Sequence, residues 1–161
     1  MSIVASLDQV KAQAKDLSQA PPRSPYSTEV AGIVLIARIL DKCRSQLAGL
    51  SPNPDMYEFR APADRDVFEH FNLDFDAFEA FVATGASDAE VSQWILEHAS
   101  NADETSIAVY NNGWRSKRLS DLPPEIQLAI SQKLAMLNQP ERTARLRYLI
   151  DVLDFKDSMF N

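Results

Sequence analysis

The sequence is poor in the residues that build several common kinds of site. Its 161 residues include four glycines, two histidines and one cysteine. Cys43 alone cannot form an internal disulfide, so cysteine usage gives no sign of an oxidising compartment. His70 and His98 do not stand at metal-ligand spacing, and the chain has neither a phosphate-binding glycine loop nor a G-x-S-x-G motif. We therefore expect no metal site and no cofactor.

Positive charge is also scarce. Sixteen Lys and Arg residues face 23 Asp and Glu residues, which gives a net charge of −7. Such a balance disfavours partners that are bound through basic residues, so we expect no nucleic acid and no membrane surface. The apolar runs are too short to cross a bilayer, and the first residues do not resemble a secretory signal. The expectation is a soluble, cytoplasmic protein.

The sequence also lacks the alternating pattern of β-strands. Its nine prolines fall in a few clusters that separate helical segments. The sequence therefore predicts an all-α, single compact domain over residues 1–161, with seven to eight helices around a central buried helix at about 28–47 and no sheet. A weak N-terminal helix is expected within 1–18, followed by an extended proline-rich lead-in at 19–27.

Capping residues predict where the helices begin and end. Ser27 or Thr28 is expected to cap the central helix, and Gly49 to end it. The next three helices are expected to begin at Asp64, Asp74 and the capping box "SDAE" at 87–90. A helix at 103–118 precedes two proline-started helices, "SDLPPEIQLAISQKLAML" and "QPERTARLRYLIDVLDF". The first of these two is expected to bury a stripe of large apolar residues, Ile126, Leu128, Ile130, Leu134 and Leu137.

The stretch "VAGIVLIARILDKCRSQLAG" at 30–49 is apolar until Arg38, Asp41, Lys42 and Arg44 follow within two turns. A helix that is apolar on both faces is typical of one surrounded by other helices. One interpretation is that its second half emerges into water, where a pair such as Arg38 and Asp41 contributes under about 1 kcal/mol. The other is that the charges line the floor of a pocket, with Asp151 or Asp154 supplying a second carboxylate.

Several segments together resemble a known family. They are "PRSPY", "AGIVLIARILDKCR", "LAG", "FEHFNLDFDAF", "GASDAEVSQW" and "DVLDFKD", spread over about 17–157. The resemblance is to an uncharacterised bacterial family catalogued as domain of unknown function number five thousand and sixty-nine. It implies that the charges at 23–25, 38–44 and 151–157 belong to a shared pattern, which favours the pocket. Relatives carry Tyr-His or Tyr-Asn where this chain has "MYEFRAPAD", so no histidine role transfers, and the resemblance brings no known reaction.

Two functions are consistent with these features. The first is a protein, or small enzyme, that binds a small anionic molecule through Arg38, Asp41, Lys42, Arg44, Tyr57 and Trp114. If it is an enzyme, the candidate catalytic residues are Asp41, Lys42, Tyr57 and Glu58, although no nucleophile–base pair can be named. The alternative is a protein–protein interaction or self-assembly module, such as a homodimer, formed by the aromatic helices at 64–82.

Overall fold

A computed structural model describes residues 3–50 and 57–158. These residues form nine α-helices and a 3₁₀ turn at Leu119–Asp121, with no strand among them. The prediction of an all-helical, single compact domain is confirmed. The helices are α1 (Ile3–Gln13), α2 (Ile36–Leu47), α3 (Pro62–His70), α4 (Phe75–Val82), α5 (Asp88–His98), α6 (Glu104–Ser116), α7 (Pro124–Met136), α8 (Pro140–Thr143) and α9 (Leu149–Asp157).

Helix α2 is the central buried helix. Every residue from Ile36 to Ser45 is buried. The helix ends as the sequence predicts, because Gly49 adopts a left-handed φ of 71° and the Leu50 N–H donates to the Ser45 carbonyl at 2.8 Å. This arrangement satisfies carbonyls that the end of a helix leaves without partners.

The start of α2 is not where the sequence predicts it, and neither Ser27 nor Thr28 caps it. Residues 28–35 form turns rather than helix. Ala31 and Leu35 take left-handed φ angles of 59° and 70°, and the Leu35 N–H donates to the Pro25 carbonyl at 3.1 Å.

This loop is buried because other parts of the chain satisfy its backbone. Asn111 on α6 accepts the Val34 N–H at 3.0 Å and donates to the Gly32 carbonyl at 2.9 Å. Val30, Ile33, Val34 and Leu35 are each at most 1% exposed. The long apolar run therefore marks burial correctly, but half of it is buried as loop.

Helices α3 to α5 supply an aromatic core. Asp74 accepts the Ala77 N–H at 2.8 Å, and Ser87 and Glu90 form the predicted capping box. Asp64 is not an N-cap: Pro62 begins α3, and the Asp64 carboxylate accepts the Ala61 N–H from inside the first turn. The aromatic rings of Phe68, Phe75, Phe78, Phe81 and Trp94 on these helices are buried or half-buried. Phe68 stacks on Phe75, with ring centroids 4.0 Å apart.

The C-terminal third departs most from the sequence prediction. The segment expected to form one helix from Pro140 is split into α8 and α9, because residues around Tyr148 run beside Arg118 as an isolated β-bridge. The Leu119 N–H donates to the Arg147 carbonyl at 2.8 Å, and the Leu149 N–H donates to the Lys117 carbonyl at 2.9 Å. The chain between these two points, which contains α7 and α8, therefore begins and ends at the same place.

The apolar stripe of α7 is not buried. No residue of Pro124–Met136 is buried, and Ile126 and Leu128 are 45% and 59% exposed. Ile130, Leu134 and Leu137 are half-buried. The prediction that this stripe is buried is wrong because α7 packs mainly against α8, a helix of only four residues.

Replacing Asn111 tests how the buried loop is held. Asn111→Ala is expected to lower the free energy of unfolding by about 1–3 kcal/mol, because the Val34 N–H and Gly32 carbonyl lose their partner. Asn112→Ala, at the exposed neighbouring position, is the control and should change it by no more than about 0.5 kcal/mol. Urea unfolding measures both, and equal stability of the two variants would contradict this role of Asn111.

Candidate functional site

All four charged side chains of α2 are buried. Arg38, Asp41, Lys42 and Arg44 are 4, 4, 6 and 5% exposed. The interpretation that the second half of the helix emerges into water is therefore wrong. A charge removed from water needs an opposite charge or hydrogen bonds, and each of the four has a partner from a different part of the chain.

Arg38 pairs with Asp157 at the end of α9. The two guanidinium nitrogens Nη1 and Nη2 lie 2.6 and 3.0 Å from the Asp157 oxygens Oδ2 and Oδ1. The Tyr57 hydroxyl donates to the same Oδ1 at 2.9 Å. This bidentate pair is the strong form of an Arg–carboxylate contact. Together with the Tyr57 hydroxyl, it joins α2, α9 and the segment that leads into α3.

The sequence placed the second carboxylate on the correct helix but at the wrong positions. Asp154 accepts a hydrogen bond from the Ser24 hydroxyl at 3.4 Å, and Asp151 accepts one from the Tyr26 hydroxyl. Both bonds are exposed, whereas Asp157 is buried. The two predicted residues thus tie the proline-rich segment to α9 and do not reach Arg38.

Lys42 pairs with Asp64 on α3. Its ammonium lies 2.7 and 2.8 Å from the two carboxylate oxygens, and Asp64 is 2% exposed. Burial lowers the pKa of Lys42 despite the attraction of Asp64. The pair fixes α3 against α2 one helical turn beyond Arg38.

Asp41 and Arg44 belong to a second network on another side of α2. Asp41 accepts the backbone N–H of Arg23 at 2.7 Å and its Nη2 at 3.0 Å. Asp88 on α5 then receives Arg23 Nη1 and Arg44 Nη1, both at 2.8 Å. Burial alone would raise the pKa of Asp88, but hydrogen bonds from both arginines outweigh it and lower that pKa. The four residues predicted as one site therefore serve two networks, which a hydrogen bond from Arg38 to the Arg23 carbonyl joins.

The remaining sequence candidates lie in different places. Tyr57 is buried beside Arg38, and Glu58 next to it is exposed. Trp114 is buried on α6, where its Nε1 donates to Asp66 at 3.2 Å and to the Tyr110 hydroxyl at 2.8 Å. Trp114 therefore has its polar contacts with α3 and α6, away from the charges of α2.

The two histidines and the cysteine have ordinary packing roles. His70 stacks on Tyr110 and His98 on Trp94. Cys43 is buried, and burial raises the pKa of its thiol, which opposes formation of the reactive thiolate. In the part of the chain that the structure describes, no three His, Cys, Asp or Glu residues are grouped so that they could hold a metal ion.

Lys156 is a residue of this region that sequence reasoning missed. Its ammonium lies 4.7 Å from the centroid of the Tyr57 ring, and the Arg38 guanidinium carbon lies 5.4 Å from the same centroid. Burial together with Arg38 and Lys42 lowers the pKa of Lys156 to about 8. Among the described residues it has no ion pair. The flanking sequence "LDFKDS" gives no signal, because a lysine between two aspartates reads as a solvated surface residue.

These residues form a group with one excess positive charge, which we call the Arg38 cluster. It contains the cations Arg38, Lys42 and Lys156, the carboxylates Asp64 and Asp157, and the phenol of Tyr57. At neutral pH the three cations outnumber these two buried carboxylates. The exposed carboxylate of Glu58, outside the cluster, also attracts Lys42, and the whole protein carries a net charge of −7. Arg38 and Lys42 are buried, whereas Lys156 is half-buried, so the excess charge lies on the residue that solvent can reach.

The three charged segments at 23–25, 38–44 and 151–157 meet around α2. Arg23 binds Asp41, the Arg23 carbonyl accepts from Arg38 at 3.4 Å, and Arg38 binds Asp157. A model of the family described as "Domain of unknown function (DUF5069)" matches residues 19–158, a range that includes all three segments. No curated protein gives a significant match. In the described ranges, no helix has the length and apolar character needed to cross a membrane.

Breaking the Arg38–Asp157 pair tests its weight in the fold. Asp157→Asn keeps the shape but leaves a buried guanidinium without its countercharge, so the free energy of unfolding should fall by about 3–5 kcal/mol. Asp154→Asn, one turn earlier on the same helix and exposed, should cost at most about 1 kcal/mol. Chemical unfolding compares them, and similar losses for both variants would contradict the buried pair.

The lowered pKa of Lys156 predicts a pH dependence of stability. Below pH 8 both states hold the proton, and the folded state bears the full cost of the half-buried charge. As the pH rises from about 8 towards the ordinary lysine value of 10.5, the folded protein loses this proton before the unfolded chain does. The free energy of unfolding therefore rises over this interval.

Lys156→Met removes this contribution, so its free energy of unfolding should rise less between pH 7.5 and 9.5 than that of the wild type. Lys156→Met also removes the repulsion between Lys156 and Lys42, so the pKa of Lys42 is lowered less in the variant, which reduces the rise further. Lys11→Met, at an exposed position on α1, is the matched control and should follow the wild type. A constant difference between Lys156→Met and the wild type over this range would refute the lowered pKa.

Proposed function

Because the chain belongs to the DUF5069 family of domains of unknown function, we propose its function from its own residues: it binds a small anion, a carboxylate or phosphate compound, at the Arg38 cluster. The proposal is binding at this site rather than a particular reaction. It keeps Arg38, Lys42 and Tyr57 from the sequence prediction and adds Lys156. Asp41 and Arg44 are left out because the second network already occupies them.

The half-buried ammonium of Lys156 carries this proposal. A charge in a partly desolvated site is costly unless a countercharge accompanies it. Here Arg38 and Lys42 add repulsion, since both lower the pKa of Lys156. The attraction of Asp157 does not offset burial and this repulsion, and a bound anion would add the further negative charge that does.

The other members of the cluster have supporting roles. Both outer nitrogens of Arg38 are bound to Asp157, so Arg38 acts on a ligand through its charge and by fixing Asp157 and Tyr57. Burial and the neighbouring Asp157 raise the pKa of Tyr57, so its phenol remains protonated. A protonated phenol suits a group that forms the wall of a binding site better than it suits a general base.

The alternative function, protein–protein interaction or self-assembly through the aromatic helices at 64–82, has less support. Within 64–82, Phe68, Phe71 and Phe78 are at most 1% exposed, and Phe75 and Phe81 are half-buried. These rings form the core, so they leave little aromatic surface for a partner. Self-association through the aromatic helices is therefore the weaker hypothesis.

Thermal unfolding in the presence of anions tests the proposed site. At pH 7, inorganic phosphate, citrate or a short dicarboxylate should raise the Tm of the wild type more than sodium chloride at equal ionic strength. A ligand at 100 times its Kd stabilises the folded state by about 2.7 kcal/mol. Lys156→Met should lose this response, and Lys11→Met should keep it.

Two results would overturn the proposal. One is a wild type that none of these anions stabilises beyond the effect of chloride. The other is Lys156→Met responding as strongly as the wild type, since the ligand would then bind elsewhere.

A further inference from the structure

Helix α7 combines an apolar composition with high exposure. Its sequence, PEIQLAISQKLAM, contains only two charged residues, Glu125 and Lys133. A helix that is apolar around its circumference is normally buried, yet none of these residues is buried. Met136 is 85% exposed, in addition to Ile126 and Leu128. In a protein whose other apolar helices pack inward, this surface calls for a partner.

The outward face of α7 has a symmetric pattern. At about 100° per residue, Glu125, Ala129 and Lys133 follow one another along one stripe at intervals of four residues, and Met136 adjoins it. Ile126 and Leu128 flank the stripe on its two sides. The half-buried residues Ile130, Leu134 and Leu137 lie about 80–140° around the helix from Ala129, on the side of Ile126. Opposite charges therefore stand at equal distances on either side of a small residue.

We propose that a second copy of this chain covers this stripe, through an antiparallel pairing of the two α7 helices about a two-fold axis at Ala129. In that register Glu125 faces the partner's Lys133, and the symmetry repeats the ion pair on the other side of the axis. Ala129 permits close approach of the two helices. Ile126 and Met136, which lie within about 60° of Ala129 around the helix, then bury apolar surface that the single chain exposes.

The net charge of the protein favours α7 over its other surfaces as the place where a second copy binds. The chain has a net charge of −7, so most surfaces of two copies repel each other, whereas α7 carries one Glu and one Lys and is neutral. Lys133 also contributes to the positive field at Lys156, which would attract the partner's Glu125. A parallel pairing would instead bring Glu125 against Glu125, which like-charge repulsion disfavours.

Two short helices bury a small area, so the dimer should be weak and depend on concentration. Sedimentation equilibrium of the wild type between about 10 and 500 μM should show a reversible monomer–dimer equilibrium. Glu125→Lys and Lys133→Glu each turn two attractive contacts into two repulsive ones, and each should weaken the dimer about tenfold or more. The double variant with the charges exchanged restores both pairs and should dimerise as the wild type does.

The controls distinguish association through α7 from nonspecific association of exposed apolar residues. Met136→Asp should weaken the dimer, whereas Val109→Asp, at a 67% exposed apolar position on α6, should not. All these positions are exposed, so the variants should fold, which circular dichroism verifies. A wild type that remains monomeric at 500 μM overturns the proposal, as does a double variant that fails to recover or a dimer unaffected by Met136→Asp.

Discussion

The bidentate pair between Arg38 and Asp157 is the interaction from which the rest of the architecture can be understood. Helix α2 places four charged side chains inside the protein, and each has to be neutralised there. Arg38 fixes the end of α9, Lys42 fixes α3, and Asp41 and Arg44 fix the segment around Arg23 and the start of α5. The helices are thus positioned around α2 by specific charges as well as by apolar packing, which by itself does not determine register.

The need to neutralise buried charges also distinguishes the Arg38 cluster from the second network. The second network links Asp41, Arg23, Asp88 and Arg44 in alternating charge, and its outer members are partly exposed. The Arg38 cluster instead contains three cations and two carboxylates, and its unmatched charge lies at the half-buried edge on Lys156. A protein gains nothing in stability from such an arrangement. An unneutralised charge of this kind is a common mark of a functional site, where local stability is given up for binding.

Some local signals in the sequence were reliable, whereas the cap signals at Ser27, Thr28 and Asp64 and the expectations about tertiary packing were not. Asp74, Ser87 and Gly49 act through hydrogen bonds to residues within five positions, so their roles as caps could be predicted. The left-handed turns at Ala31 and Leu35 depend on Asn111, about 80 positions away, and no local pattern reports them. Asp157, and not Asp154, contacts Arg38. The position of both residues depends on where α9 begins, which is at Leu149, directly after the bridge between Tyr148 and Arg118. The same packing places Lys156 near Arg38. Helix α7 is exposed because its neighbour α8 has only four residues.

A double-mutant cycle at Arg38 and Asp157 tests the central claim most directly. The free energies of unfolding of Arg38→Met, Asp157→Leu and the double variant are measured by urea unfolding against the wild type. Each single variant leaves a buried charge alone, and the double variant leaves none, so the two losses should be strongly non-additive, with a coupling of about 1–3 kcal/mol. Additive losses would show that the two charges do not depend on each other, and the account of α2 given above would then be wrong.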